Sequence, residues 1–351
     1  YSKQFVTKKD INKVKEVLNS NWLTQGPKVK IFETKITKYT GSKYAVAVNS
    51  GTSALHISCI ALGIKKNDVV WTVPNTFVAS ANCAIHCGAK IDFVDIDPQT
   101  WNLSVSELER KLIKAQKQKK LPKLLIPVHF AGQSTDQEKI WNLSKKYKFK
   151  ILEDASHSIG GVYKGNKIGN CKKSDITVFS FHPVKPITTA EGGMALTNDK
   201  KIYLKLLQLR NHGITKDKNY LKKKNLSNWY YEQQTLGFNY RMNDIEATLG
   251  ISQLGSLDKF VKKRNLIANL YRKKLKNFPL RFQKIEKNIY STYHLFVIRF
   301  DKSKIKNFNY NKIFLKFLKS KLNINLHYLP VHLHPFYKKL GFKMGDFAES
   351  E

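Results

Sequence analysis

A chain of 351 residues with 42% hydrophobic side chains can bury more than one core usually holds, so one large and one small domain are expected. The formal charge of +36, from 62 Lys and Arg against 26 Asp and Glu, permits loose binding to nucleic acid. The lysines are spread along most helical stretches, as in 111–120 and 145–150, which reads as a solvated surface and argues against a specific nucleic-acid interface.

The first predicted element is a short amphipathic helix over 7–19, with Thr7 as its cap, Asp10 three residues on, and Ile11, Val14, Val17 and Leu18 at helical spacing. A turn at Gly26-Pro27 opens a second helix that runs to Tyr39 and stops at Gly41. From Tyr44 the rhythm changes. Seven apolar strands, at 44–48, 69–73, 91–94, 124–128, 149–152, 176–179 and 194–196, alternate with helical connections. That order predicts an α/β fold with a mostly parallel sheet covered on both faces. Ligands then bind beyond the carboxyl ends of its strands, where Asn49, His129, Asp154 and Ser180 fall. Past Lys200 the chain reads as helix, broken by a polar loop over 211–234. A long basic helix through Arg264 and Tyr271 leads into a smaller α+β unit with strands at 292–300 and 324–327. The predicted division is 1–245 for the large cofactor-binding domain with its two N-terminal helices, and 246–351 for the small one. The lack of an initiator Met and the ending at Glu351 predict a piece short of its last strand or helix.

Four cysteines, Cys59, Cys83, Cys87 and Cys171, form no CxxC pair, which predicts reduced thiols in a cytoplasmic protein and makes a zinc site unlikely on composition. No apolar run approaches the ~18 residues of a membrane helix, and 1–6 is too short and polar for a signal peptide.

The most informative run is 175–193, which delivers Lys185 off a buried strand into a turn flanked by Pro183 and Pro186. Upstream, another apolar strand leads into Glu153-Asp154-Ala-Ser-His157. A Schiff-base amine and a carboxylate that keeps a pyridinium nitrogen protonated are the pair that pyridoxal phosphate needs as an electron sink. Singly, Lys185 is one lysine among dozens and Asp154 could cap a turn; together they point to aminotransfer. Asn49-Ser-Gly-Thr-Ser53 sits between strand and helix, so the amides of Thr52 and Ser53 can hold a phosphate at a helix N-terminus, a plain Ser/Thr cap being the alternative. Ser180 can donate to the same phosphate, and Glu191-Gly-Gly193 lets the chain reverse into the next strand. His157 is read either as a cofactor contact or as a satisfied buried histidine, and Phe77 either as a ring that stacks on the cofactor or as core. Asn239 and Arg241 are a polar set between helices. The run 327–336 places His332 and His334 on one face, but no Cys or carboxylate accompanies them, so a substrate-contacting loop is preferred and no metal is expected. His182, Arg241 and His327 are the candidate substrate contacts.

These residues resemble the DegT/DnrJ/EryC1/StrS family of sugar aminotransferases, which have the aspartate aminotransferase fold (fold type I) and install amines on nucleotide-linked 4-keto-6-deoxy sugars. Ser-Gly-Thr-Ser-Ala54, Glu-Asp-Ala-Ser-His157, Ser-Phe-His-Pro-Val-Lys185, Glu-Gly-Gly193 and Gly-Phe-Asn-Tyr-Arg241 match in order, and the likeness spans 21–337. It implies Lys185 as the Schiff-base lysine, Asp154 against the pyridinium, Phe77 stacked on the ring, and Thr52, Ser53 and Ser180 on the phosphate. It further implies that Asn239 reaches the phosphate in a partner's site, making the enzyme an obligate homodimer with shared active sites.

Within the family, 182–189, 229–242 and 327–332 are most similar to the pseudaminic acid branch. That likeness implies transfer of an amino group from L-glutamate to C4 of a UDP-linked 2-acetamido-2,6-dideoxy-4-hexulose, giving the 4-amino altrose derivative. Ala190 departs from the branch, which is expected to carry glycine there. In the implied cycle glutamate displaces Lys185, whose freed amine then moves a proton between substrate and cofactor, and the keto sugar runs the steps in reverse. Such a base must be neutral, so its pKa is expected to be depressed by the neighbouring pyridinium. Arg210, His212 and Arg241 are expected near the UDP diphosphate. Rival readings are an aminotransferase for another nucleotide-linked keto sugar, a pyridoxamine-dependent dehydratase, which Lys185 disfavours, and a regulatory nucleic-acid binder on the same fold.

Overall fold

In the computed structural model, which describes residues 3–217, 219–223, 227, 229–322 and 324–351, the chain enters through the predicted capped helix. Tyr1 and Ser2 of the N-terminal stretch, and Lys218, Lys224, Asn225, Leu226 and Asn228 of the predicted polar loop, lie outside the described residues, as does Asn323. In α1 (Lys8–Leu18) the Thr7 hydroxyl accepts from the Asp10 amide while the Asp10 carboxylate accepts from the Thr7 amide, satisfying two donors that the first turn cannot pair internally. Of its predicted apolar face Val17 is buried, whereas Ile11 and Leu18 are exposed. Helix α2 (Pro27–Thr40) stops at Gly41, whose φ of 80° is the left-handed cap that glycine supplies without strain.

All seven predicted strands form: β1 (Tyr44–Val48), β2 (Val69–Thr72), β3 (Lys90–Phe93), β4 (Leu124–Leu125), β5 (Lys150–Asp154), β6 (Ile176–Ser180) and β7 (Gly193–Thr197). Their spatial order is β1-β7-β6-β5-β4-β2-β3. Strand β7 runs antiparallel to both β1 and β6, and every other pair is parallel. The helices that connect the strands are α3 (Gly51–Ala61), α4 (Ala79–His86), α5 (Val105–Lys117) and α6 (Gln137–Tyr147), and α7 (Lys200–Arg210), α8 (Asp244–Leu254) and α9 (Leu257–Leu275) follow β7. Alternation along the strands feeds a core on each face. Val46, Val48, Leu152, Ile176 and Val178 pack with α3, α4 and α7, while Ala45, Ala47, Phe179, Met194 and Leu196 pack with α2, α8 and the start of α9.

Three predicted strands differ in ways that shape the site. Strand β4 is two residues long because Pro127 has no N–H for the ladder; its carbonyl accepts from the Asp154 amide, and Val128 meets Asp154 through one isolated bridge. Within 292–300 only Ile298–Phe300 is strand, paired with Leu280–Phe282. The residues before it hook onto the loop after β4 instead, Thr292 N donating to Gly132 O at 3.0 Å and Leu295 N to Ala131 O at 3.3 Å. No strand forms over 324–327 among its described residues: Leu326 N is satisfied by the Asn325 side chain, and Tyr328 N by Asn75 Oδ1 at 3.1 Å. Beyond α10 (Tyr310–Lys319), Val331 and Tyr337 of α11 (Pro335–Lys338) and its approach join the core on the α3 and α4 side of the sheet.

Candidate functional site

Strand β5 outruns its prediction by two residues, which seats Asp154 in the end of the sheet at 6% exposure. Its two carboxylate oxygens are held from opposite sides. Ser80 Oγ of α4 donates to Oδ2 at 2.6 Å, and Ser156 donates to Oδ1 from its hydroxyl at 2.6 Å and its amide at 3.1 Å. A carboxylate has about four acceptor positions, so one remains for a further donor. The preceding residue, Glu153, faces the other way, where the hydroxyls of Ser174 and Thr177 satisfy it. Ser80 and Ser156 were not singled out in the sequence: Ser80 comes from another element and has no local pattern, whereas Ser156, two residues after Asp154, was a local turn partner that the spacing offered.

At the neighbouring strand ends, Ser50 caps α3 by accepting from Ser53 N at 3.0 Å, and Ser53 Oγ donates to Asn49 Oδ1 at 2.7 Å. The serine-cap alternative therefore describes Ser53's amide, while the Gly51 and Thr52 amides open the helix and Thr52 is exposed. The cap is pressed onto β6 and β7. A Cβ on Gly51 would meet Ser180 Cβ at 2.9 Å, and one on Gly193 would meet Ser50 O at 2.2 Å, so these two glycines let the helix N-terminus reach Ser180.

Lys185 sits in the loop that joins β6 to β7, a loop closed by Phe181 N to Gly192 O at 2.8 Å and Thr189 N to Phe181 O at 3.0 Å. Its own amide donates to His182 O at 2.9 Å. Burial pushes the Lys185 ammonium down to about 8, with the Asp154 carboxylate acting the other way. Desolvation thus lowers this amine before any pyridinium is present, a cause that the sequence reading did not name. Ala190 in the same loop has a φ of 79°, a left-handed backbone that suits glycine and explains why glycine is expected there.

His157 is buried. Its Nε2 lies 3.3 Å from the Tyr328 hydroxyl, and its Nδ1 has no partner among the described residues. Burial, helped by the charges of Lys185 and His327, holds it well below the usual histidine range. Burial likewise takes His327 to about 4. The exposed ring of Phe77 lies 6.5 Å from that of Tyr328, at the mouth of the same cluster. His182 is also exposed, its Nδ1 accepting from Val184 N at 3.4 Å.

Asn239 and Arg241 lie beyond β1. Asn239 is exposed and bridges to Asn211, and Arg241 Nη1 donates to Asn211 Oδ1 at 2.6 Å. A cavity of about 510 Å³ opens beside them, lined in part by Gly26, Lys30, Arg210, Lys216 and Arg241. Arg210, expected near a diphosphate, is committed elsewhere: Nη1 donates to buried Glu33 at 2.6 Å and to Ala47 O at 2.8 Å. His332 is also occupied, 2.8 Å from Glu351. Among the described residues no group of three or more His, Cys, Asp or Glu side chains converges to hold a metal, and no helix is long and apolar enough to cross a membrane.

An oriented buried carboxylate, a desolvated amine, an unpartnered ring nitrogen and a helix N-terminus beside a serine suit a pyridine ring bearing an aldehyde and a phosphate. Comparison with known proteins agrees. The family described as DegT/DnrJ/EryC1/StrS aminotransferases matches residues 4–351. The UDP-4-amino-4,6-dideoxy-N-acetyl-beta-L-altrosamine transaminase of Campylobacter jejuni is 38% identical over 97% of this chain and 86% of its own. A GDP-perosamine synthase of Escherichia coli O157:H7 is 35% identical over 82% of this chain and 74% of its own. Among solved structures, Helicobacter pylori PseC, an aminotransferase of pseudaminic acid biosynthesis, superposes with a TM-score of 0.87 at 32% identity, covering 100% of this chain and 90% of that one. Spr1654 of Streptococcus pneumoniae, in its PMP form, gives 0.89 at 29% identity with the same coverage.

Proposed function

The chain belongs to the DegT/DnrJ/EryC1/StrS aminotransferase family and has its fold type I architecture; from that premise we propose that it transfers the amino group of L-glutamate to C4 of a UDP-linked 2-acetamido-2,6-dideoxy-4-hexulose. The product is UDP-4-amino-4,6-dideoxy-N-acetyl-β-L-altrosamine. Aminotransfer rests on one relationship, a desolvated lysine and a doubly anchored carboxylate at the ends of adjacent strands β6 and β5. The choice of sugar is supported by the Campylobacter transaminase and PseC likenesses. The perosamine synthase likeness supports the second reading, a different nucleotide-linked keto sugar.

Pyridoxal phosphate, when bound, supplies an electrophilic aldehyde and an electron sink. Asp154 meets the ring nitrogen, and Ser80 and Ser156 keep its carboxylate from rotating. The Thr52 amide and the Ser180 hydroxyl would hold the phosphate against the N-terminus of α3, joined by the Ser53 hydroxyl once it turns from Asn49. Phe77 would cover the ring, and His157 would offer it the unpartnered Nδ1. Lys185 Nζ would provide the attachment point and, once released, would carry a proton from the amine-bearing carbon of the donor to the carbon that was the cofactor's aldehyde, and in the opposite direction for the keto sugar. His182, Arg241 and His327 contact the sugar nucleotide. Asn239, which is exposed, serves a second copy's phosphate in a homodimer. Free thiols at all four cysteines are compatible with work in the cytoplasm.

The test follows the visible band of the lysine-bound cofactor. Glutamate should bleach it and the UDP-linked 4-keto sugar should restore it, while Lys185→Ala should show neither the band nor turnover. Restoration only by a GDP-linked keto sugar would transfer the assignment to the second reading.

A further inference from the structure

Behind His157 lies an imidazole that no motif announced. His294 is 4% exposed, and neither of its ring nitrogens has a partner among the described residues. Its ring centroid is 4.4 Å from that of His157, with the planes 46° apart. The backbone that carries it is held at every residue. Thr292 donates its amide to Gly132 O and its hydroxyl to His157 O, at 3.0 and 2.6 Å, and Leu295 N reaches Ala131 O at 3.3 Å. The Arg264 guanidinium donates to the carbonyls of Tyr293 and His294 at 3.3 and 3.1 Å. A Cβ on Gly132 would come within 2.2 Å of Thr292 Oγ1, so the close approach of the two segments depends on that glycine. The segment predicted as strand has become a clamp that sets one buried ring against another.

We propose that His294 is a positioning residue for the reaction: packed against His157, its imidazole fixes the orientation of that ring, shuts water out and holds it neutral where it meets the cofactor. The proposal rests on the pyridoxal phosphate reading where it speaks of the reaction and the cofactor, and not for the effect of His294 on the His157 ring. The charged and titratable groups facing the pair are Lys185, Arg264, His327 and Tyr328; Lys185 disfavours a proton on either ring, and Arg264 one on His294. Burial acts in the same direction for both histidines. With Nε2 engaged by Tyr328, a neutral His157 keeps Nδ1 for the ligand and adds no positive charge beside Lys185. An apolar ring of similar size would fill the place of His294 without burying two unpartnered nitrogens, so packing alone does not account for a histidine here.

The experiment is a histidine ¹⁵N titration of the cofactor-free protein. In the wild type His157 should stay neutral, in a single tautomer, from pH 5 to pH 8 by the usual histidine scale of about 6.5. In His294→Ala, where water takes the place of the ring, the His157 midpoint should rise by about one pH unit or more, into the observable window, with both tautomers visible. His294→Asn, which also vacates ring volume, gives the same reading if the alanine variant does not fold. An unchanged His157 titration and tautomer in the folded variants would overturn the proposal. The pH midpoint of the visible cofactor band, recorded on the same proteins, separates the two ideas. If the wild type forms no band, the cofactor reading fails while the titration still decides the role of His294.

Discussion

Ser80 donates its hydroxyl to Asp154 Oδ2 at 2.6 Å, coupling the first turn of α4 to the last residue of β5. Thr76, hydrogen-bonded to Ser80 at 2.8 Å, steadies the donor in turn. A hydrogen bond to a charged group is worth about 1.5–3 kcal/mol. Ser80→Ala should therefore lower kcat by roughly ten- to a hundredfold, with a smaller effect on the KM for the sugar nucleotide. Steady-state kinetics on the purified variant checks the split, and an unchanged kcat would remove Asp154 orientation from the account.

Lys185, at about 8, is half neutral at that pH, whereas an ordinary lysine near ~10.4 would be under ~1% neutral. Capture of pyridoxal phosphate by the free enzyme should accelerate with pH and level off above about 8, as stopped-flow absorbance would record. Stability carries the same signature. The folded pKa lies below the unfolded one, so between about 8 and ~10.4 the unfolded chain binds more protons and this group's contribution to stability rises with pH. Lys185→Ala should flatten that rise.

Ala190, with its φ of 79°, is the natural site for a stabilising change. A left-handed backbone costs an L-residue roughly 1–2 kcal/mol, and glycine gives back about 0.5–1 kcal/mol in unfolded-state entropy. Ala190→Gly should gain up to about 1 kcal/mol, seen as a higher urea midpoint with an unchanged slope.

Arg210 and Glu33 form an ion pair in which both side chains are largely buried, and Glu33 also accepts from Ala47 N at 3.0 Å. Arg210→Ala leaves that carboxylate uncompensated and should cost about 3–5 kcal/mol. Calorimetry should show the loss, while the affinity for the sugar nucleotide should change little.

The sheet was legible because each strand announces itself as a short apolar run between turn signals, and the Thr7–Asp10 box because both halves are local. The reversed direction of β7 was not, since apolar content is the same for either orientation. Nor was the short β4, although Pro127 stood in plain view as the residue that ends it. The site divided the same way. Lys185 and Asp154 lie in patterned runs, but Ser80, Tyr328 and His294 come to them from distant elements, and the fate of Arg210 was decided by a glutamate on α2.

The loop that holds Lys185 starts and ends on paired strands, with Ser180 opposite Gly193, so its perch is a hairpin assembled from neighbours in sequence. Asp154 and His157, with the Ser80 and His294 that pack on them, are brought to that hairpin by long-range closure of the chain. In the unfolded chain this lysine has the basicity of any lysine in water. Its lowered basicity is a product of the final assembly, because burial is what produces it.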